Sequence, residues 1–482
     1  MEHVPPQKGF SRRKFLGALG LGGVALGAGC SRPAPVAPAQ AGPADLTLTI
    51  RPVLVDIADN HTISTLGYDG LDPAEPIRMR EGVPLKVELI NDTDTPEFVH
   101  WHGMTIPADV DGAEEEKSLV VPAHGQLRYT LTPSPAGARW VHSHVMCMSD
   151  LQRGTYTGQF HFVYVQPKND PGRYDREFFL TTHEWEPIFT TEEMSDEEPD
   201  AEQRARAAAL PKDPKPNGWE IGYQRFTING KCLGFGAPLR VKQGERVLFH
   251  ILNASATENI QLALAGHVFQ VVGLDGNPVP HPRPVEVLEL GTAERIDAVV
   301  EMQNPGVWIL GTPHDDDRQN GMGVVVEYAD QRGQPRWVKP VRKAWDYTVF
   351  GENRQAPPPD ETIPMVFGKI NGGTGGFNRW TVNGKQYDEQ GAPRELEKGK
   401  RYRLAFDNHT DDAHPVHLHR NTFELTGVHG KPTAGVLKDV VLLKGYRQIH
   451  ADFTATGEGL TLFHCHQQLH MDYGFKLLFR VV

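Results

Sequence analysis

An all-β chain of three consecutive β-sandwich domains is predicted by three observations on the 482 residues: a ten-residue strand frame that occurs three times, an abundance of turn formers, and little helical periodicity. The frame at 82–91 alternates apolar and other residues, as a half-buried strand does, with Leu85, Val87 and Leu89 on one face. It returns at 244–253 with Val247, Phe249 and Ile251, and at 399–408 with Tyr402, Leu404 and Phe406. Each copy ends on Asn (Asn91, Asn253, Asn408), and the copies lie 162 and 155 residues apart. Length alone suggests roughly three domains at about 150 residues each, so the two estimates agree. A second repeat, Phe226-Thr-Ile-Asn229-Gly230-Lys231 and Trp380-Thr-Val-Asn383-Gly384-Lys385, reads as a strand running into an Asn-Gly turn.

Further strand-like runs occupy 126–132, 159–165, 285–290 and 437–443, punctuated by the turns that 49 Gly and 38 Pro supply. The acidic stretch 191–200, the Ala-rich run 205–210 and the Pro-Lys run that ends at Pro216 read together as a solvated loop with one short helix in it. The domains are placed at 45–168, 169–335 and 336–482. The 39% hydrophobic and 23% charged fractions are globular, and no apolar run after the first thirty residues reaches the ~18 needed to span a membrane. A net charge of −12 offers no positive field for phosphates, so no nucleic-acid partner is expected. Four Cys against 22 His exclude a disulfide scaffold and make histidine the residue to explain. Cys147 and Cys232 are compatible either with one disulfide between the first two domains or with two buried thiols.

The amino terminus reads as a leader. Ser11-Arg12-Arg13-Lys14-Phe15-Leu16 precedes an apolar, Gly- and Ala-rich stretch and resembles a twin-arginine signal, which implies export of an already folded protein to the periplasm or cell surface through that machinery. Leu26-Gly27-Ala28-Gly29-Cys30 is similar to a lipoprotein cleavage site, with Gly27 where Leu or Val is usual, which makes Cys30 a candidate lipid anchor. Residues 1–30 form this leader, and the Pro- and Ala-rich 31–44 is a linker.

Four His-x-His pairs, His100/His102, His142/His144, His417/His419 and His464/His466, exceed the single pair or so expected by chance. Residues two apart on a strand share a face, so each pair presents two imidazoles together. The pairs keep register with the repeats. His100 and His417 each follow the frame Asn by nine residues; His142 and His464 follow it by 51 and 56. Counting nine and eleven from Asn253 reaches Leu262 and Leu264, and the matching Trp308-Ile-Leu-Gly-Thr run offers Leu310 and Thr312, so that domain carries no pairs. Eight imidazoles from two related domains imply a cluster at their interface, more than one metal ion needs. Cys465, between His464 and His466, projects to the opposite face, where His414 and His470 complete a two-His, one-Cys set suited to a copper electron-transfer centre. Domain one has Ser143 and Glu97 in the places of Cys465 and His414.

Taken in this order across the mature chain, these motifs resemble the three-domain multicopper oxidases, the laccase-like family of cupredoxin-like Greek-key sandwiches. The resemblance implies four copper ions: His414, Cys465 and His470 at type 1; His100 and His417 at type 2; His102, His142 and His466 at one type 3 ion, and His144, His419 and His464 at the other. It implies oxidation of phenols or aromatic amines at type 1 and reduction of dioxygen to water at the cluster. It also makes Asp111 a proton-supplying acid. The second such acid of some relatives is replaced by Met471, with Asp472 beside it. The axial position beside type 1 falls on Phe475, whose ring cannot coordinate; the expected consequence is a high potential. Oxidation of Cu(I), Fe(II) or Mn(II), and a copper-free structural role, are the alternatives. A monomer is expected, whose reductant is a small molecule or metal ion and whose acceptor is dioxygen.

Overall fold

A computed structural model describes residues 42–168, 172–191, 199–341 and 345–482. The leader 1–30, Cys30 and the linker up to residue 41 lie outside the described residues, as does 192–198 of the acidic stretch. The described chain is three pairs of facing β-sheets and one two-stranded sheet, Ile188–Thr190 with Glu220–Gly222. In the first, Leu46–Ala58, Leu85–Asn91 and Gly125–Leu131 share one sheet, while Val99–His102, Gly137–Ser143 and Phe160–Gln166 share the other. The second and third pairs each have six strands facing five, in the same spatial order. The first follows that order with its last strands missing, so the strand-frame repeat is also a repeat of topology. Each frame strand pairs in parallel with the opening strand of its own sandwich.

The frame ends on Asn for a reason that bears on the site. Asn91, Asn253 and Asn408 are fully buried, and each side chain closes the same turn. Asn91 Oδ1 accepts from Thr93 N and its Nδ2 donates to Thr95 O and Val121 O. Asn253 does so with Ser255, Glu258 and Leu290, and Asn408 with Thr410, Asp412 and Leu443. A buried amide that satisfies three backbone groups at once fixes the crossing from one sheet to the other. The strand that follows then starts at a set distance, and in the first and third sandwiches that strand carries a His pair.

The two Asn-Gly sites adopt the predicted turn, with positive φ at Asn229 and Gly230 and at Asn383 and Gly384. The short helix is Ala201–Ala209, capped by Asp200, whose Oδ1 accepts from Glu202 N and Gln203 N. Arg447 pairs with Asp200 and Glu202, and Arg206 pairs with Asp407, so the helix is tied to the third sandwich.

Three expectations differ in detail. Arg246–Asn253 is buried on both faces beyond Arg246, where alternation predicted one. Its second face is covered at an interdomain core in which Leu252 and Ala254 meet Trp140, Phe162, Phe179 and Val440. The runs 285–290 and 437–443 are each broken, Asn277–Val285 from Leu288–Leu290 and Lys431–Lys438 from Val440–Leu443, because the chain passes between sheets there. In the middle domain Leu264 faces Leu310 as His102 faces Trp140. Strand register thus puts Thr312, not Leu310, at the place of His142; spacing cannot see a slip of two residues, and the position still holds no ligand.

One buried pair on the frame strand of the middle domain sets a pH dependence. His250 Nδ1 lies 2.6 Å from Asp297 Oδ1, and Nε2 lies 3.5 Å from Glu177 Oε2. Burial opposes protonation, but the two carboxylates outweigh it and raise the ring to about 9. The folded value exceeds the unfolded value of about 6.5, so the pair contributes fully below pH ~6.5 and is lost as pH rises through about 9. Denaturant unfolding of the wild type should lose up to about 3 kcal/mol over that window. His250→Gln should flatten the profile; a profile unchanged by that substitution would assign the dependence elsewhere.

Candidate metal centre

The four pairs meet. His100 faces His142 across the ladder between Val99–His102 and Gly137–Ser143, and His417 faces His464 between His414–Leu418 and Gly459–Cys465. The two ladders are brought together face to face: His102 stacks on His417 with centroids 3.9 Å apart, and His100 on His419 at 4.1 Å. All eight rings are buried. Ligand atoms of His100, His102 and His417 lie within 4.8 Å of one another, as do those of His102, His142 and His466 and those of His144, His419 and His464. Burial, then repulsion among neighbouring imidazoles, holds His102, His142, His144, His417, His419, His464 and His466 well below the ordinary range, so these rings are neutral.

The outward nitrogens show which atoms are left to bind a cation. His100 Nδ1 donates to Asp111 O, His142 Nδ1 to Ser143 O, His417 Nδ1 to Asp439 O and His464 Nδ1 to Cys465 O. His102 Nε2 and His419 Nδ1 donate to the carboxylates of Asp439 and Asp111 at 3.1 and 2.8 Å. These partners only accept, so the proton of each neutral ring is on the outward nitrogen and the inward one carries a lone pair. His419 Nε2 and His464 Nε2 therefore face each other at 3.0 Å as two lone pairs, and His102 Nδ1 and His142 Nε2 do so at 3.4 Å. Neither pair is a hydrogen bond. His100 Nε2, His417 Nε2 and both nitrogens of His144 and His466 have no partner. This arrangement fits metal cations set between the rings and is unfavourable without them.

On the other face of Gly459–Cys465, Cys465 Sγ lies 3.7 Å from His414 Nδ1 and from His470 Nδ1, which are 3.2 Å apart. Thr410, whose hydroxyl donates to Asn408 Oδ1, accepts from His414 Nε2, leaving Nδ1 free. His470 Nε2 points to Glu220 Oε2 at 3.6 Å. Burial pushes the Cys465 thiol far up, so a thiolate here needs a cation beside it. Phe475 is fully buried, and its ring meets that of His414 edge-on at 4.9 Å. In the first sandwich, by contrast, Ser143 Oγ donates to Glu97 Oε1 and Gln159 Nε2 to Glu97 Oε2, a closed polar cluster in place of a thiolate site.

Asp111 ends the short helix Ala108–Asp111, which lies against Val99–His102 because Gly112, at φ +91, has no Cβ to strike Val99 O. Its Oδ1 has no hydrogen-bond partner. Behind it stands Glu116, fully buried, which accepts from Leu462 N; burial and the nearby Asp111 carboxylate hold it well above the carboxylate range. Asp472 accepts from the amides of Cys147 and Met148 and from Gln468, joining the loop after His144 to the helix that carries His470; burial raises it to about 6. Cys147 and Cys232 are unpaired buried thiols.

Sequence reasoning missed Glu116, Glu220, Arg295 and Asp439. The signal for Asp439 was a charged pair, Lys438-Asp439, inside an apolar run. A cavity of about 640 Å³ opens onto His470, with Glu220, Glu258, Asp411 and Asp412 in its walls. A larger one, about 1220 Å³, walled in part by Arg78, Phe179 and Trp185, reaches none of the eleven candidate ligands.

Residues 49–170, 195–328 and 359–482 each match a family model described as multicopper oxidase. A multicopper oxidase of Mycobacterium tuberculosis, MmcO, is 29% identical over 500 residues, covering 96% of this chain and 95% of that protein. The crystal structure of a laccase from Botrytis aclada has a TM-score of 0.70 at 17% identity, with 91% of this chain and 88% of that one covered. A multicopper oxidase of Campylobacter jejuni, described as a metallo-oxidase, has a TM-score of 0.67 at 19% identity, with 93% and 94% covered.

Gly103 follows His102 at φ +80, and a Cβ there would sit 2.6 Å from Arg295 Nη2 and 2.7 Å from Asp439 Oδ2. Gly103→Ala should therefore cost on the order of 2 kcal/mol or more in denaturant unfolding. Gly70→Ala, at similar φ in open space, should cost about 1 kcal/mol or less. Equal costs would show that backbone strain alone acts at Gly103.

Proposed function

We propose, starting from a chain that belongs to the multicopper oxidases, that His414, Cys465 and His470 hold the type 1 copper, His100 and His417 the type 2 ion, His102, His142 and His466 one type 3 ion, and His144, His419 and His464 the other. The protein is a copper-dependent oxidoreductase with four coppers and dioxygen as acceptor. The observation that carries the residue assignment is the facing of buried lone pairs across the cluster, together with the Cys465 thiol between two His Nδ1 atoms. Bound copper supplies one-electron acceptance at type 1 and the four-electron reduction of dioxygen to two waters at the cluster.

The chain's own residues link, orient and supply protons. Cys465 is covalently continuous with His464 and His466, and the His464 Nδ1 bond to the Cys465 carbonyl shortens that link. Asp111 orients His100 through its carbonyl and His419 through Oδ2, and its Oδ1, which accepts from no donor, is the atom that would pass protons toward the cluster. Glu116 stands behind it, with burial and the Asp111 carboxylate raising its affinity for a proton against the pull of Arg420, and would replenish it.

Phenols and aromatic amines are the favoured reductants. Phe475 presents no donor to the Cys465 centre, and a site without a weak axial thioether has the higher potential that such substrates need. A second reading, a metal-ion reductant, is supported by the carboxylates of Glu220, Glu258, Asp411 and Asp412 in the wall of the His470 cavity. The Ser11–Leu16 leader supports export through the twin-arginine route to the periplasm or cell surface, with Cys30 as a candidate anchor.

Oxygen uptake with a phenol, an aromatic diamine, Cu(I) and Fe(II) side by side tests the choice: faster turnover of the two organic reductants is expected, and turnover confined to metal ions would replace this reading by the second. Cys465→Ser should remove the intense blue absorption and substrate oxidation while near-ultraviolet absorption from the type 3 pair persists. Phe475→Met should lower the type 1 potential by about 60 mV, a tenfold change in the one-electron equilibrium, at unchanged copper content. A potential that stays put or rises would remove Phe475 from the axial position.

A further inference from the structure

Among the described residues the middle sandwich supplies no ligand, yet two of its side chains reach the residue that orients the cluster: Asp275, whose Oδ2 accepts from the backbone amide of Asp439, and Arg295, which grips the Asp439 carboxylate itself. Arg295 begins the strand Arg295–Glu301 and is fully buried. Its Nη1 donates to Asp439 Oδ1 and its Nη2 to Asp439 Oδ2, both at 2.6 Å, a two-pronged grip that only a guanidinium makes. Asp439 comes from the third sandwich, in the break between Lys431–Lys438 and Val440–Leu443. Its Oδ1 also accepts from His102 Nε2, a ring of the first sandwich, while its backbone oxygen accepts from His417 Nδ1. One residue therefore orients both members of the His102/His417 stack.

His102 is distinctive in this set. His100, His142, His417, His419 and His464 are all held outward by Nδ1 and present Nε2, whereas His102 is held outward by Nε2 and presents Nδ1. That orientation depends on where Asp439 Oδ1 lies. Arg295 is itself fixed by donation to Ala138 O, Ala293 O and Asp275 O. Of the Asp439 carboxylate, Arg139 of the first sandwich reaches Oδ2 alone, at 3.4 Å, while its other donors go to Pro135 O, Ala136 O and Asp275 O.

We propose that Arg295 is a positioning residue for the copper cluster, through which the ligand-free middle domain locks the Asp439 carboxylate and so holds His102 with Nδ1 toward the metal. The proposal rests on the assignment of His102 and His417 to the cluster made above. Only bonds present when all three sandwiches are docked complete the chain from Arg295 to His102, so the middle domain is part of the metal site without contributing a ligand. Loss of such an outer partner typically weakens metal binding by about 10- to 100-fold.

The test uses the full-length, copper-loaded protein and a graded copper chelator, followed by two bands at once: the near-ultraviolet absorption of the type 3 pair and the blue absorption of the Cys465 centre. Arg295→Lys keeps the charge and most of the buried stem but cannot grip both carboxylate oxygens. It should release cluster copper at about 10- to 100-fold lower chelator, with the blue band lost only where the wild type loses it. Asp439→Asn should do the same, and the double variant should be no worse than the singles, because both act on one bond to His102. Parallel loss of both bands, wild-type retention of both, or additive effects in the double variant would each overturn the role of Arg295. Should Arg295→Lys not accumulate as folded protein, Asp439→Asn alone decides by the same two bands. A wild type without the near-ultraviolet band would remove the cluster assignment and this proposal together, whereas a wild type with the band and an Arg295→Lys variant identical to it removes only the latter.

Discussion

Two imidazole pairs stacked across the junction of the first and third sandwiches, His102 on His417 and His100 on His419, impose the constraint to which the surrounding structure answers. Eight buried rings are packed together, with lone pairs facing lone pairs, and six of their nitrogens have no partner. Each such buried atom costs about 1–3 kcal/mol, so together they rival the ~5–15 kcal/mol that a whole domain has to spare. Rigid outer hydrogen bonds sustain the site, and cations between the rings would relieve that cost. Nothing in the apolar cores requires this arrangement; it is held against their preference.

What holds it is backbone geometry first and buried charge second. The frame Asn closes the same turn three times, and in two sandwiches the strand that follows carries a His pair. In the third sandwich the turn extends to the other centre, because Thr410 joins Asn408 to His414. The charges converge at the three-domain junction: Arg139 from the first sandwich, Asp275 and Arg295 from the second, Lys438 and Asp439 from the third. Buried ion pairs of this kind add little net stability but punish any other arrangement, which suits a junction whose alignment sets metal geometry.

The parts legible in the sequence are those that local spacing encodes. A period of two identifies strands and puts both members of each His pair on one face, and the position of Cys465 between His464 and His466 already sends its thiol to the other. The contacts among His414, Cys465 and His470 have that form. The parts that were not legible arise from convergence of distant segments. Arg295 and Asp439 are 144 residues apart and each looks like an ordinary strand charge. Glu116 reads as one of three consecutive acids until burial beside Asp111 distinguishes it. The slip from Leu310 to Thr312 and the break at Asp439 are matters of register and of sheet crossing, which hydrophobic pattern leaves undetermined.

The central claim is that two separate centres, one built on Cys465 and one on eight histidines, act as a single electron store for dioxygen. An anaerobic reductive titration measures this directly. The copper-loaded protein should take up about four electrons per chain, bleaching the blue and near-ultraviolet bands, and return them together when dioxygen is admitted. Uptake of a single electron, with the near-ultraviolet band absent or unmoved, would contradict it.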